Sequence, residues 1–149
     1  MSFLADMAIL DKTGAPTALV EVKSKSGTTP DWAAAMRRNL AAHGLMPEAK
    51  FFVLATPDRV YLWIDKTTDP RAVPPDFSFE PERALQPYYE EVGLRPDELA
   101  ETSLELLVAS WLSELMGGTG ADRLPAEAST WLRDSGFLTA IRGGRLEQR

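Results

Sequence analysis

The chain has no cysteine and a single histidine, His43, among its 149 residues. The first absence excludes a disulfide framework, a thiolate zinc site and a thiol nucleophile. The second excludes a multi-histidine metal centre and leaves little material for a Ser-His-Asp triad. No apolar run approaches the ~18 residues of a membrane span, and the N-terminus lacks a basic region followed by an apolar stretch. A protein of the reducing cytoplasm with no membrane partner is expected. Positive charge is not in excess either: the formal net charge is −6. Residues 1–65 are balanced, with seven Lys/Arg against seven Asp/Glu, so all the excess acidity lies in residues 66–149. An acidic chain lacks the broad attraction that supplies most non-specific nucleic-acid affinity. That counts against a tight nucleic-acid binder, and less against an enzyme whose site lies in the neutral half.

What is present suits a folded domain. The chain is 44% hydrophobic, 26% charged and 9% aromatic, and a domain of this size buries roughly 70% of its unfolded surface. Residues 5–10 read as a short strand, Asp11 to Pro16 as a turn, and 17–23 as a second strand, together a hairpin. Thr29 and Pro30 mark a helix start, and the helix runs through His43 to a stop at Gly44. Its apolar positions Trp32, Ala35, Met36, Leu40 and His43 trace one face, with Arg37 and Arg38 towards the other sides. Strands over 50–56 and 59–64, joined at Thr56-Pro57-Asp58, complete a ββαββ unit over residues 1–65. Residues 66–96 read as a Pro-rich extended connection. Residues 97–149 read as helical, with a long helix from Asp97 to Met116 and shorter ones at 125–135 and 136–142. The apolar side of the long helix comprises Leu99, Leu106, Leu107, Trp111, Leu112 and Leu115. The expected fold class is therefore α/β, a small mixed sheet with a helical C-terminal region.

Chemistry concentrates in the first hairpin. If Leu10 faces Thr17, then Ala8 faces Leu19 and Asp6 faces Glu21. Alternation puts Asp6, Glu21 and Lys23 on one sheet face and Met7, Ile9, Ala18, Val20 and Val22 on the other. Opposed carboxylates repel unless something positive lies between them, and a divalent cation with oxygen ligands meets that need. By spacing alone, a solvated charge pattern with Glu21 as an ordinary exposed strand residue is the commoner reading of such a hairpin.

The run Ala5-Asp6-Met7-Ala8-Ile9-Leu10, a turn, then Ala18-Leu19-Val20-Glu21-Val22-Lys23 resembles the signature of the PD-(D/E)xK nuclease superfamily. It is most similar to the nuclease domains of type I restriction enzymes and related predicted endonucleases. The resemblance covers the order of elements to about residue 65, and Ala5 stands where the name has proline. It implies a restriction-endonuclease-like core, Mg²⁺ or Mn²⁺ bound by Asp6, Glu21 and the Val22 carbonyl, and a water-positioning Lys23. It also implies hydrolysis of phosphodiester bonds in nucleic acid, DNA being the expected partner. The helix after the motif often carries a basic residue facing the site, which makes Arg37 and Arg38 candidate phosphate contacts beside their reading as a solvated helix face. Only five residues precede Asp6, where the family usually has a helix and another strand. Completion by an upstream segment or by a neighbouring chain, and a degenerate non-catalytic member, stay open. The second functional expectation is thus a non-catalytic, dimer-forming protein that keeps the fold. Its homodimer interface would be an uncovered sheet edge or the apolar face of the long helix. His43 reads as a helix-end hydrogen-bonding residue, and Tyr61, Trp63, Trp111 and Trp131 as core or interface anchors.

Overall fold

The computed structural model describes residues 5–43, 46–80, 86–93, 95, 100–118 and 126–148. Six strands form one open sheet: β1 (Met7–Leu10), β2 (Pro16–Val22), β3 (Phe51–Ala55), β4 (Val60–Ile64), β5 (Phe77–Phe79) and β6 (Arg145–Gln148). Their order is β5-β4-β3-β2-β1-β6, with β2 and β3 parallel and every other neighbouring pair antiparallel. Five helices accompany them among the described residues: α1 (Pro30–Ala42), α2 (Gln86–Val92), α3 (Glu101–Met116), α4 (Ala126–Asp134) and α5 (Phe137–Ile141). The protein is thus a mixed α/β structure, and no described helix is long and apolar enough to cross a membrane.

Both sheet faces are covered, which explains why β3 and β4 are continuous apolar runs rather than alternating ones. On one face α1 lies over Ala8, Leu19, Phe52, Leu54, Tyr61 and Trp63. On the other, Met7, Ile9, Val20, Val53 and Leu62 pack against α2–α5 through Tyr88, Leu104, Trp111, Leu112, Leu132 and Phe137. The parity expected for β1 and β2 is the observed one.

The register agrees too, with one exception. Met7 pairs with Val20, Ala8 with Leu19 and Ile9 with Ala18, but Leu10 pairs with Pro16 and not with Thr17. Asp11 sets this end. Its carboxylate accepts from the Thr13 and Ala15 amides at 2.8 and 3.1 Å, and its own amide donates to the Ala15 carbonyl at 2.9 Å. Thr17 is left as the extra residue of a β-bulge.

Four expectations need correction. Phe77–Phe79 is an edge strand inside the segment read as an extended connection, and the helix Gln86–Val92 follows it. Arg145–Gln148 pairs along the outer edge of β1, so the edge expected to be uncovered is occupied. Gly144 permits this approach: a Cβ there would lie 3.0 Å from Ile9 Cγ2 and from the Leu10 and Ile141 carbonyl oxygens. Finally, Trp111, Leu112 and Leu115 of α3 are fully buried against the chain's own sheet, while Leu106 is 65% exposed. That face is not available to a second copy. The expected cap Gly44 and the residues Leu99 and Pro125 lie outside the described residues.

Candidate functional site at the end of the first hairpin

Asp6 lies one residue before β1, and Glu21 and Val22 end β2. Here side chains replace the backbone ladder. The Asp6 amide donates to Glu21 Oε1 at 3.1 Å, and the Val22 amide donates to Asp6 Oδ2 at 2.7 Å. Each strand thus holds the carboxylate of the other. Lys23 Nζ stands 3.5 Å from Glu21 Oε2, with about a third of its side chain exposed. Its amide donates to the Ala55 carbonyl at 3.0 Å, which ties the start of the following loop to β3.

Glu21 is 3% exposed, so the reading of it as an exposed strand residue does not hold. Burial pushes its carboxyl up to about 8; the hydrogen bond with Asp6 and the Asp6 charge add to this, and Lys23 offsets only part of it. At neutral pH Glu21 therefore keeps its proton beside Asp6, where a second bare carboxylate would repel the first. That proton is the small cation the site already attracts.

The donor set suits a hard divalent ion. It offers two carboxylates with backbone-fixed oxygens, in a number that Mg²⁺ commonly takes while keeping several waters. The Val22 amide points to the Asp6 edge of β2, and extended backbone sends a residue's carbonyl to the same edge as its N–H. Asp6, Glu21 and the Val22 carbonyl are thus the groups that would hold the ion. Among the described residues no three His, Asp or Glu side chains converge on one point.

The two arginines do not join the cluster. Arg37 is fully buried; its guanidinium donates to the carbonyls of Lys66 at 2.6 Å and Thr67 at 3.4 Å, and to that of Arg71. It clamps the loop after β4 and presents nothing to a phosphate. The physical reason lies in the helix. Its buried positions are Ala33, Ala34 and Arg37, so the line facing inward runs through two alanines and the arginine, while Trp32, Met36 and Leu40 flank that line half-buried. Arg38 is exposed. His43 Nδ1 lies 2.6 Å from the Asn39 carbonyl, the helix-end role expected of it. Tyr61 and Trp63 are fully buried.

Sequence reasoning missed a group around the loop 23–29. The Gly27 amide donates to Asp58 Oδ2 at 2.6 Å, and Thr28 Oγ1 lies 2.8 Å from the Tyr61 hydroxyl. The turn after β3 is held by Thr56 Oγ1, which accepts from the Arg59 amide at 3.0 Å and donates to Asp58 Oδ1 at 3.1 Å. The run Lys23-Ser24-Lys25-Ser26-Gly27-Thr28-Thr29, two lysines and no carboxylate in a chain of net negative charge, was the available signal. A cleft of about 420 Å³ lined by Pro16, Lys50, Asp65 and Thr67 lies at the start of β2 and β3, away from these residues.

No protein-family model, curated protein or solved structure matches the chain.

Proposed function

We propose that the protein is a Mg²⁺- or Mn²⁺-dependent nuclease-like hydrolase acting on phosphodiester bonds of nucleic acid. One observation carries this reading: the Asp6 carboxylate, held by the Val22 amide, and the Glu21 carboxyl, held by the Asp6 amide, lie together beside the Lys23 amine at the carboxyl end of β2. Asp6, Glu21 and the Val22 carbonyl would hold the divalent ion, which when bound would supply charge neutralisation for a phosphoryl oxygen and an acidified water. The protein's own part is positional. The two carboxylates fix the reacting centre against the sheet. Lys23, partly exposed and within 3.5 Å of Glu21, orients the attacking water and adds positive charge where negative charge develops. The order of elements supports the same reading, since β1, β2, α1 and β3 follow one another as the resemblance requires. An additional strand, here β6, lies along the outer edge of β1.

A second reading, a non-catalytic protein that keeps this fold, is favoured by one feature. Glu21 and Asp6 are satisfied within the chain, by Asp6 N, Lys23 and Val22 N. In the second reading the protein is dimer-forming, and with the apolar face of α3 buried its interface would lie at an edge of the sheet. Cleavage of labelled DNA and RNA in Mg²⁺ or Mn²⁺ decides between the two readings. The expected result is hydrolysis abolished by chelation and reduced at least about 10²-fold in Glu21→Gln. Absence of cleavage by the wild-type protein establishes the second reading, and equal cleavage by Glu21→Gln removes the site assignment.

A further inference from the structure

The loop between β2 and α1 has the properties of a docking edge for the substrate, an inference that rests on the proposed nuclease function. It is held from below at four points: the Lys23 amide on Ala55, the Gly27 amide on Asp58, Thr28 on Tyr61, and Thr29, whose Oγ1 accepts from the Trp32 amide at 3.1 Å. A segment anchored so closely has its geometry set before any ligand arrives. Its outer side is nevertheless exposed from Ser24 to Gly27. Asp58, the acid beside it, has one oxygen on the Gly27 amide and the other on Thr56; along the chain the loop is flanked by Glu21, in the site itself, and by Asp31, in the first turn of α1.

Lys25 is exposed, and its Nζ lies 5.4 Å from the centroid of the half-buried Trp32 ring. An ammonium over an aromatic face is favourable, and when Lys25 moves to a phosphate the ring face it covers is left for a base. Two residues of extended chain span at most about 7 Å, which bounds the Cα separation of Lys23 and Lys25. A positive groove with an aromatic platform is how single strands are held without sequence readout, the cation on the backbone and the base on the ring.

We propose that loop 23–29 receives a single-stranded stretch of nucleic acid. Lys25 takes a backbone phosphate next to the one at Asp6, Glu21 and Lys23, and Trp32 stacks a base. Binding is separable from cleavage, which makes the proposal testable by itself. In the Glu21→Gln background with chelator, a labelled oligothymidylate of about 12 nucleotides should bind. Binding should weaken at least about five-fold in Lys25→Ala, and the salt dependence should lose about 0.7 of slope, one phosphate contact on a single strand. Trp63 and Trp111 are fully buried and Trp131 is 7% exposed, so quenching of intrinsic fluorescence by the oligonucleotide should depend on Trp32 and vanish in Trp32→Phe. Lys25 is an exposed loop residue, so its substitution leaves folding intact and keeps the test decisive. Absence of binding, or affinity and quenching unchanged in both variants, overturns the proposal. If the wild type cleaves while Lys25→Ala keeps the same KM, the docking edge falls and the nuclease reading stands. If binding depends on Lys25 and Trp32 but nothing is cleaved, the docking edge stands and the nuclease reading falls.

Discussion

Glu21 shows how one buried carboxyl joins stability to function. Its carboxyl titrates near 8 in the folded chain against an ordinary 4.5, so the folded state binds the proton more tightly than the unfolded one. The sign follows from linkage: the stabilisation is fully present below the unfolded value and is lost as pH rises through the folded value. In chelator, the wild-type melting temperature should therefore fall between about pH 5 and about pH 9 relative to Glu21→Gln, whose amide does not titrate. Parallel thermal melts across that range check this, and a constant difference between the two proteins would show that the carboxyl is not protonated in the fold. The carboxylate pair was legible because strand alternation is strict and both residues lie near the hairpin's open end. The burial of Glu21 was not legible, because it depends on α1 covering that face.

At the scale of elements, α1 separates what pattern can and cannot show. Its start was readable from Thr29 and Pro30, and Thr29 does cap it. Its inward face was not, because a pattern built on large apolar residues passes over a buried line made of Ala33, Ala34 and Arg37. Arg37 was consequently read as a surface arginine. Arg37→Ala should destabilise the protein by about 2–4 kcal/mol, since it removes a fully buried side chain whose guanidinium ties the carbonyls of Lys66, Thr67 and Arg71 to α1. Arg38→Ala should stay within about 0.5 kcal/mol. Urea unfolding of both variants distinguishes them, and similar midpoints would contradict the clamp. The two missed strands failed for different reasons. Phe77-Ser78-Phe79 has the right alternation but lies between prolines. Arg145–Gln148 is too polar to read as a strand and is one only because β1 offers it an edge.

For the whole molecule, the layered arrangement decides what the C-terminal half is for. Helices α2–α5 complete a core over the sheet face opposite the carboxylates, so the acidic half of the chain serves the neutral half as scaffold. Replacing Trp111 with Asp should therefore unfold the protein, at a cost of at least about 3 kcal/mol, rather than release a soluble monomer. Circular dichroism and solubility of Trp111→Asp test this; a folded monomer would return α3 to the role of an interface. Layering also explains the placement of the site. The loop after β2 and the turn after β3 emerge at the same end because those strands are parallel, and ligands of open α/β sheets gather at the carboxyl ends of strands.

The proposed metal site requires the Glu21 proton to give way to a divalent ion. Calorimetric titration of Mn²⁺ into the metal-free protein near neutral pH, repeated in two buffers of different ionisation enthalpy, measures both events at once. One ion should bind per chain with release of a proton, and both signals should disappear in Glu21→Gln. Failure of the wild-type protein to bind Mn²⁺, or equal binding by Glu21→Gln, would contradict it.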